Sequence, residues 1–572
     1  MTTEPAVRHF IPARLDLSDF DQIDPLYRSL LERPVETVEQ LKAWLADASE
    51  LSAAVDEYGN RRYIDNSCHT DDAEIEKAYL HFVEKIDPKV KPLAFELQKK
   101  FLESAALKPL LADRRYVMLE RKWKADVEVF RPENVPLETE ITTLTTQYDK
   151  ISAAQMVSFR GKDYTPQQIA RFYEDPDRAT RQEAWEAATA RRLQDAEPVE
   201  AIFDKQLPLR QQVAANADLR TYRDYVWKSY KRFDYTPADC QRFADAIAGS
   251  VVPLVSKLHA QRAQDLGIQT LRPWDLEVDP QNRPALRPFA EDDVEGFVSK
   301  TREIFNRLSP ELAADFDQLK THGNLDLESR KGKQPGGYQC SLEESRQPFI
   351  FMNAAGLHRD VETLLHEGGH AFHYQWSCRK EPLVYLRSAP MEFCEVASMA
   401  MELLGGEHLD VFYDVEGQAR AARKKLEGIL RFFPWMAIID QFQHWIYTHP
   451  GHSREDRAAH WLMLQDRFAK GVDWSGHELA QRTLWQRKLH LFHAPFYYIE
   501  YGIAQLGALQ LWMKAKEDPR RALSNYRSAL SLGGTRPLPE LFAAAGIQFD
   551  FSEKTLAPLV RAVEEELSAL PA

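Results

Sequence analysis

Cysteine is scarce in this 572-residue chain, and its five copies (Cys68, Cys240, Cys340, Cys378, Cys394) are scattered without a CxxC pair. An odd, dispersed set argues against a disulfide framework and against a thiolate zinc cluster. Reduced thiols suit a cytoplasmic chain. Long apolar runs are also missing: nothing approaches the roughly 18 uninterrupted apolar residues of a membrane span. The opening MTTEPAVRHFIPARLDLSDF has no charged start leading into an apolar segment, so no secretion signal is expected. Positive charge is in deficit, with 73 Lys and Arg against 87 Asp and Glu and a net charge of -14. Without a basic stripe to displace counterions, nucleic acid is a poor partner. Internal repeats and low-complexity tracts are absent too.

The 44% hydrophobic content is that of a soluble globular protein, and the length calls for two or more lobes. The early chain reads as helices joined by polar turns. PVETVEQLKAWLADASELSAAVDEY and DDAEIEKAYLHFVEKI carry apolar residues at spacings of three and four, the mark of amphipathic packing helices. Around Ala153 to Tyr164 a short hairpin turning at Gly161 is expected, after which helix resumes. The Pro-rich LRPWDLEVDPQNRPALRPF from Leu271 marks a loop between lobes or sub-lobes. KGKQPGGYQCSLEESRQPFIFMN from Lys331 reads as a hairpin of two strand-like pieces, and from Val361 onward the text is helical again. The expected class is therefore mainly α with a small β-hairpin or sheet.

The segment LLHEGGHAFH, Leu364 to His373, carries the chemistry. Residues four apart share a helix face, so His366 and His370 can aim both imidazoles at one point, half of a tetrahedral zinc site. Glu367 stands beside that face, placed to contact water on the metal rather than the metal itself, as a general base must be. His373 continues the stripe and reads as a hydrogen-bonding support or a packed residue, since a catalytic zinc keeps one position open. Gly368 and Gly369 each cost about 1 kcal/mol relative to Ala in a helix. Either another backbone approaches closely there, or the helix bends or ends.

A third ligand must come from elsewhere. In MEFCEVASMAMELL, Glu395, Ser398 and Glu402 form one polar stripe, whereas Glu392 begins the stripe of Val396, Met399 and Leu403, which reads as core. Glu395 is the expected ligand and Glu402 its supporting partner; the bland alternative is a solvated acidic face. His449 and His452 in THPGH are expected to face solvent.

These residues resemble a known family. HEGGHAFH followed by Glu395 in FCEVAS, SFRGKDYTPQQIARFYEDPDRATRQEAW before them, and PFYYIEYGIAQLGALQLW and PLPELFAAAGIQFDF after them look like the oligoendopeptidase F branch of the thimet-oligopeptidase-like zinc peptidases. The likeness spans roughly Lys100 to Phe551. It implies a two-lobed helical zincin with a deep substrate channel, divided here into an N-terminal lobe (1–195) and a catalytic region with the C-terminal helices (196–572). It also implies one Zn2+ per chain held by His366, His370 and Glu395, with Glu367 as base, and oligopeptides as substrates. The family's substrate-binding histidine and tyrosines map onto HLFHAPFYYIEY, giving His490, Tyr497, Tyr498 and Tyr501, with His493 competing for the histidine's role. Read on its own, that segment puts Pro495 in a first helical turn and Tyr498 and Tyr501 on one face, where a phenol or imidazole could meet a developing oxyanion. Phe496 reads as core.

Two further features keep double readings. RQPFIFMNAAG could be an edge strand that pairs with a substrate backbone, or an internal strand. Gly336 and Gly337 could belong to a loop over the substrate or to an ordinary turn. The function expected is a zinc endopeptidase for short unstructured peptides. Its rivals are a carboxypeptidase or dipeptidyl carboxypeptidase on a related helical zinc fold, and a non-catalytic helical peptide-binding protein.

Overall fold

The computed structural model describes residues 8–571, which are mainly helical with five short strands. The first amphipathic segment forms the helix Val38–Cys68. Thr37 caps it: its hydroxyl accepts from the Gln40 N–H at 3.2 Å, and the Gln40 side chain accepts from the Thr37 N–H at 3.1 Å. The inward face of Leu41, Trp44, Leu45, Ala48 and Leu51 joins Leu97, Phe101, Trp123 and Leu386 in one core. Each such leucine contributes about 1.5–3 kcal/mol by leaving water. DDAEIEKAYLHFVEKI forms the helix Ala73–His81 and a π-helical turn Phe82–Ile86, which runs on into the helix Asp87–Glu103.

The chain gathers into two compact units, each built from non-contiguous segments. One comprises Met1–Glu128, Arg287–Ala421 and Ile503–Phe549; the other comprises Val129–Leu286, Ala422–Gly502 and Asp550–Ala572. The expected division at 195/196 is a cut along the chain, whereas these units are groupings in space. The Pro-rich passage holds one of the crossings, between Leu286 and Arg287. Irregular backbone suits a crossing, because its prolines cannot donate to a helix or sheet ladder.

In the second unit the expected hairpin is β1 (Val157–Phe159) and β2 (Lys162–Tyr164), turning at Arg160 and Gly161, both with positive φ. In the first unit lie β3 (Leu325–Glu328), β4 (Tyr338–Leu342) and β5 (Gln347–Ala354), ordered β3-β5-β4. β4 and β5 are antiparallel and β3 runs parallel to β5. The hairpin turns at 343–346, so Gly336 and Gly337 precede β4 instead of turning it. RQPFIFMN is the central strand, and its continuous apolar run reflects burial on both faces. β4 is the edge. Among the described residues no helix is long and apolar enough to cross a membrane, and all five cysteines are free.

Candidate metal centre

β5 leads directly into the helix His358–Lys380, which carries the histidine motif. Asp360 fixes the junction, its carboxylate accepting from the N–H groups of Ala355 and Leu357, both at 2.8 Å. Toward the other end, Trp376 Nε1 donates to Asp315 Oδ2 at 2.8 Å and Arg379 Nη1 to the same oxygen at 3.0 Å. The helix is therefore held at both ends, and the glycine pair neither bends nor ends it.

The glycines have a packing reason. A Cβ on Gly369 would stand 2.6 Å from the Ala397 carbonyl oxygen and 2.7 Å from Ser398 Cα, backbone atoms of the helix Met391–Gly406. One on Gly368 would stand 2.8 Å from Cζ of Phe305. Bare backbone at Gly369 lets the two helices touch, which brings the acidic stripe to the histidines.

His366, His370 and Glu395 each place one ligand-capable atom within 4.8 Å of the other two. Glu395 Oε2 lies 3.6 Å from His366 Nε2 and 3.7 Å from His370 Nε2. Ligands about 2.0–2.1 Å from a tetrahedral zinc stand about 3.4 Å apart, so these separations fit such an ion with a small inward adjustment. His366 Nδ1 meets Glu402 Oε1 at 2.6 Å, which fixes the ring and leaves Nε2 facing Glu395. Ser398 Oγ donates to Glu395 Oε2 at 3.1 Å. The solvated-face alternative fails here: Glu395 and Ser398 are buried against the motif helix, not turned to water.

Burial disfavours charge on His366, but the bond to Glu402 and the charges of Glu402, Glu367 and Glu395 lift it to about 9. The acidity that would hold a proton there equally favours a metal cation. Burial and the neighbouring His366 hold His370 well below its ordinary range, leaving the neutral imidazole that ligates metals. Burial pushes the Glu367 carboxyl up to about 7, opposed by His366 and by a backbone hydrogen bond from Gln339 in β4, and assisted by Glu395. A carboxyl poised near neutrality suits proton transfer. His373 is packed, not bonded into the trio: its ring meets Phe393 edge-on at 6.3 Å, its Nε2 has no hydrogen-bond partner among the described residues, and burial lowers it to about 4.

His490, Tyr497, Tyr498 and Tyr501 belong to the second unit and cluster there. The His490 ring lies 5.9 Å from Tyr497, 5.2 Å from Tyr498 and 5.9 Å from Tyr501. His493 is engaged elsewhere, its Nε2 2.7 Å from Asp149 Oδ1. The helix begins at Tyr498, not in the turn of Pro495, because Phe496 takes a left-handed conformation with φ 68°. Phe496 is fully buried, as a core residue should be. Lys488 sits 4.1 Å over the Tyr498 ring; sequence reading missed this contact, which no helical spacing announces. Of the two loop histidines, His449 is exposed, while His452 is half-buried 3.2 Å from an Arg457 nitrogen.

Two imidazoles and a carboxylate at metal-ligand spacing, with a second carboxyl beside them, suit the hydrolysis of amides, and on this helical scaffold they point to a metalloendopeptidase of the oligopeptidase class. Comparison with known proteins carries the assignment one step further. The chain belongs to peptidase family M3, whose sequence model matches residues 171–560, and the M3 N-terminal domain matches residues 12–130. It is 23% identical to an oligoendopeptidase F homolog of Mycoplasma pneumoniae over 481 residues, 78% of this chain and 76% of that one. It is also 23% identical to oligopeptidase PepF of Bacillus subtilis, over 56% of this chain and 47% of the relative. The structure of PZ peptidase A with an inhibitor superposes with a TM-score of 0.88 over 98% of this chain and 99% of that one, at 24% identity, which shows a shared fold.

Proposed function

We propose that this M3 peptidase is a zinc-dependent endopeptidase cutting internal bonds of short unstructured oligopeptides. The observation that carries the reading is the convergence of His366, His370 and Glu395 with His366 braced by Glu402. These residues would hold one catalytic zinc, a Lewis acid that lowers the pKa of water to about 7 and polarises a carbonyl. Glu367 takes the proton from the attacking water and returns it to the leaving amine. Its raised proton affinity supports both steps: a carboxylate with a pKa near 7 is a stronger base than an exposed one and gives its proton up again readily.

The edge strand β4 fits the substrate class. An extended peptide adds to a sheet edge through main-chain hydrogen bonds, which a folded protein cannot offer. The Gln339 hydrogen bond to Glu367 puts that edge beside the base. In the second unit, His490, Tyr497, Tyr498 and Tyr501 serve as substrate-binding donors, with His490 preferred because His493 is paired to Asp149. Five free cysteines go with action in a reducing cytoplasm.

Two measurements test this. Glu367→Gln should lower peptide turnover by roughly 10²–10⁴-fold with bound zinc unchanged; undiminished turnover would overturn the mechanism. A peptide blocked at both ends should be cut internally. A C-terminal ladder that disappears on amidation would point to a carboxypeptidase, and peptide binding without cleavage, indifferent to chelator, to a binding protein.

A further inference from the structure

We propose a second metal site, structural and sulfur-bearing, formed by Cys240, Asp440 and His444 in the second unit. Asp440 and His444 stand four apart on the helix Val415–Thr448, the same spacing that pairs His366 with His370. Cys240 faces them from the helix Pro237–Asp265. One ligand atom from each lies within 4.8 Å of the others. Exposure is 1% for Cys240, 1% for Asp440 and 9% for His444, so water satisfies none of them.

The polar atoms are left over in a way that a metal explains. Among the described residues, both nitrogens of His444 and Oδ1 of Asp440 have no hydrogen-bond partner, while Asp440 Oδ2 accepts from Gln441 Nε2 at 3.1 Å. A buried carboxylate oxygen and a buried imidazole left without hydrogen bonds are costly. His444 Nε2 stands 3.3 Å from Asp440 Oδ2, too misaligned to count as a hydrogen bond but close to the separation of two ligands on one tetrahedral ion, about 3.4 Å.

Charge gives the same answer. Arg232, whose charge acts on Cys240, pairs with Glu500 at 2.8 Å. A divalent ion with a thiolate, a carboxylate and a neutral imidazole is a neutral set, which low-dielectric surroundings tolerate. Binding displaces the thiol proton of Cys240 to solvent, so the site fills more tightly as pH rises. Softness of the sulfur favours zinc over magnesium or calcium. The Phe496 ring packs 5.2 Å from His444, and the Phe496 N–H donates to Gln443 Oε1 at 2.6 Å. The ion would thus pin two helices behind the strap that precedes Tyr497 and Tyr498.

Cobalt distinguishes the two sites, because the histidine-motif site contains no sulfur. Full-length protein stripped of metal and reloaded with Co2+ alone should show a thiolate-to-cobalt charge-transfer band in the near ultraviolet. That band should vanish in Cys240→Ser and persist in His370→Ala. By elemental analysis the zinc-loaded protein should hold two equivalents, and His370→Ala one. A misfolded Cys240→Ser would be exposed by its circular dichroism, in which case His444→Gln replaces it. No charge-transfer band in the wild type, or one zinc in the wild type and none in His370→Ala, overturns the proposal and leaves a buried Asp–His pair. Neither result touches the assignment of the catalytic centre.

Discussion

His366 is bonded at Nδ1 to a carboxylate, and that bond decides which nitrogen is left to meet a metal and how basic it is. Replacing Glu402 by Gln should weaken zinc affinity by about 10–100-fold, read by competition with a chromophoric chelator. Proton and metal compete for the same imidazole. With His366 lifted to about 9, the metal-free protein holds its proton at neutral pH. Zinc affinity should therefore climb with pH by about tenfold per unit until pH 9 and flatten above it. In the Glu402→Gln protein the plateau should start at lower pH, because the largest contribution raising His366 is gone. An affinity independent of pH between 7 and 9 would contradict the assignment of His366 as a ligand.

Between elements, the contact at Gly369 governs the site. Alanine there gains about 1 kcal/mol in helix propensity but drives its Cβ into the Ala397 carbonyl and Ser398 Cα, backbone that cannot rotate away. The clash should win, with a net loss of about 1–3 kcal/mol in chemical denaturation and weaker zinc binding as the helices part. Gly368→Ala meets only the tip of the Phe305 ring and should be milder on both counts. The loop before β4 is held by another contact. Lys333 Nζ donates to Asp326 Oδ1 at 2.9 Å, to the Glu328 carbonyl at 2.8 Å and to the Met352 carbonyl at 2.5 Å. Burial alone would raise the Asp326 carboxyl, but Arg330, Cys68 and Lys333 hold it well below the usual range. Because its folded pKa is depressed, the stabilisation is complete above the unfolded value of about 3.9 and is lost as pH falls through the folded one. Hydrogen exchange of amides 331–337 should rise relative to β5 below about pH 3, a dependence that Asp326→Asn abolishes.

Across the whole chain, neither unit is a contiguous stretch. The core of the first unit joins Leu17, Leu45 and Trp123 to Leu383 and Leu386, and the candidate metal centre draws on residues 366 to 402. Fragments 1–195 and 196–572 each lack part of that core, so neither should melt cooperatively alone, as followed by circular dichroism. A cooperative transition in fragment 196–572 would show that the catalytic region folds without the N-terminal segments.

Local features of this protein were legible in its sequence because they depend on spacing alone. The HExxH spacing put His366 and His370 on one face, the stripe of Glu395, Ser398 and Glu402 was countable, and period-3.6 apolar patterning announced the helices. The central position of RQPFIFMN was not legible, because a continuous apolar strand reads alike at an edge or in the middle, and β3 gave no signal strong enough to predict a partner. Whether Gly369 marked a bend or a contact, whether the acidic stripe met water or histidine, and whether His373 bonded or packed all turned on which element lay opposite. Cys240 stands 200 residues from Asp440, and no local pattern joins them. The sequence by itself determined which residue types could do chemistry and which shared a helix face; only the tertiary structure decided their partners, since burial and hydrogen bonding are properties of the space between elements.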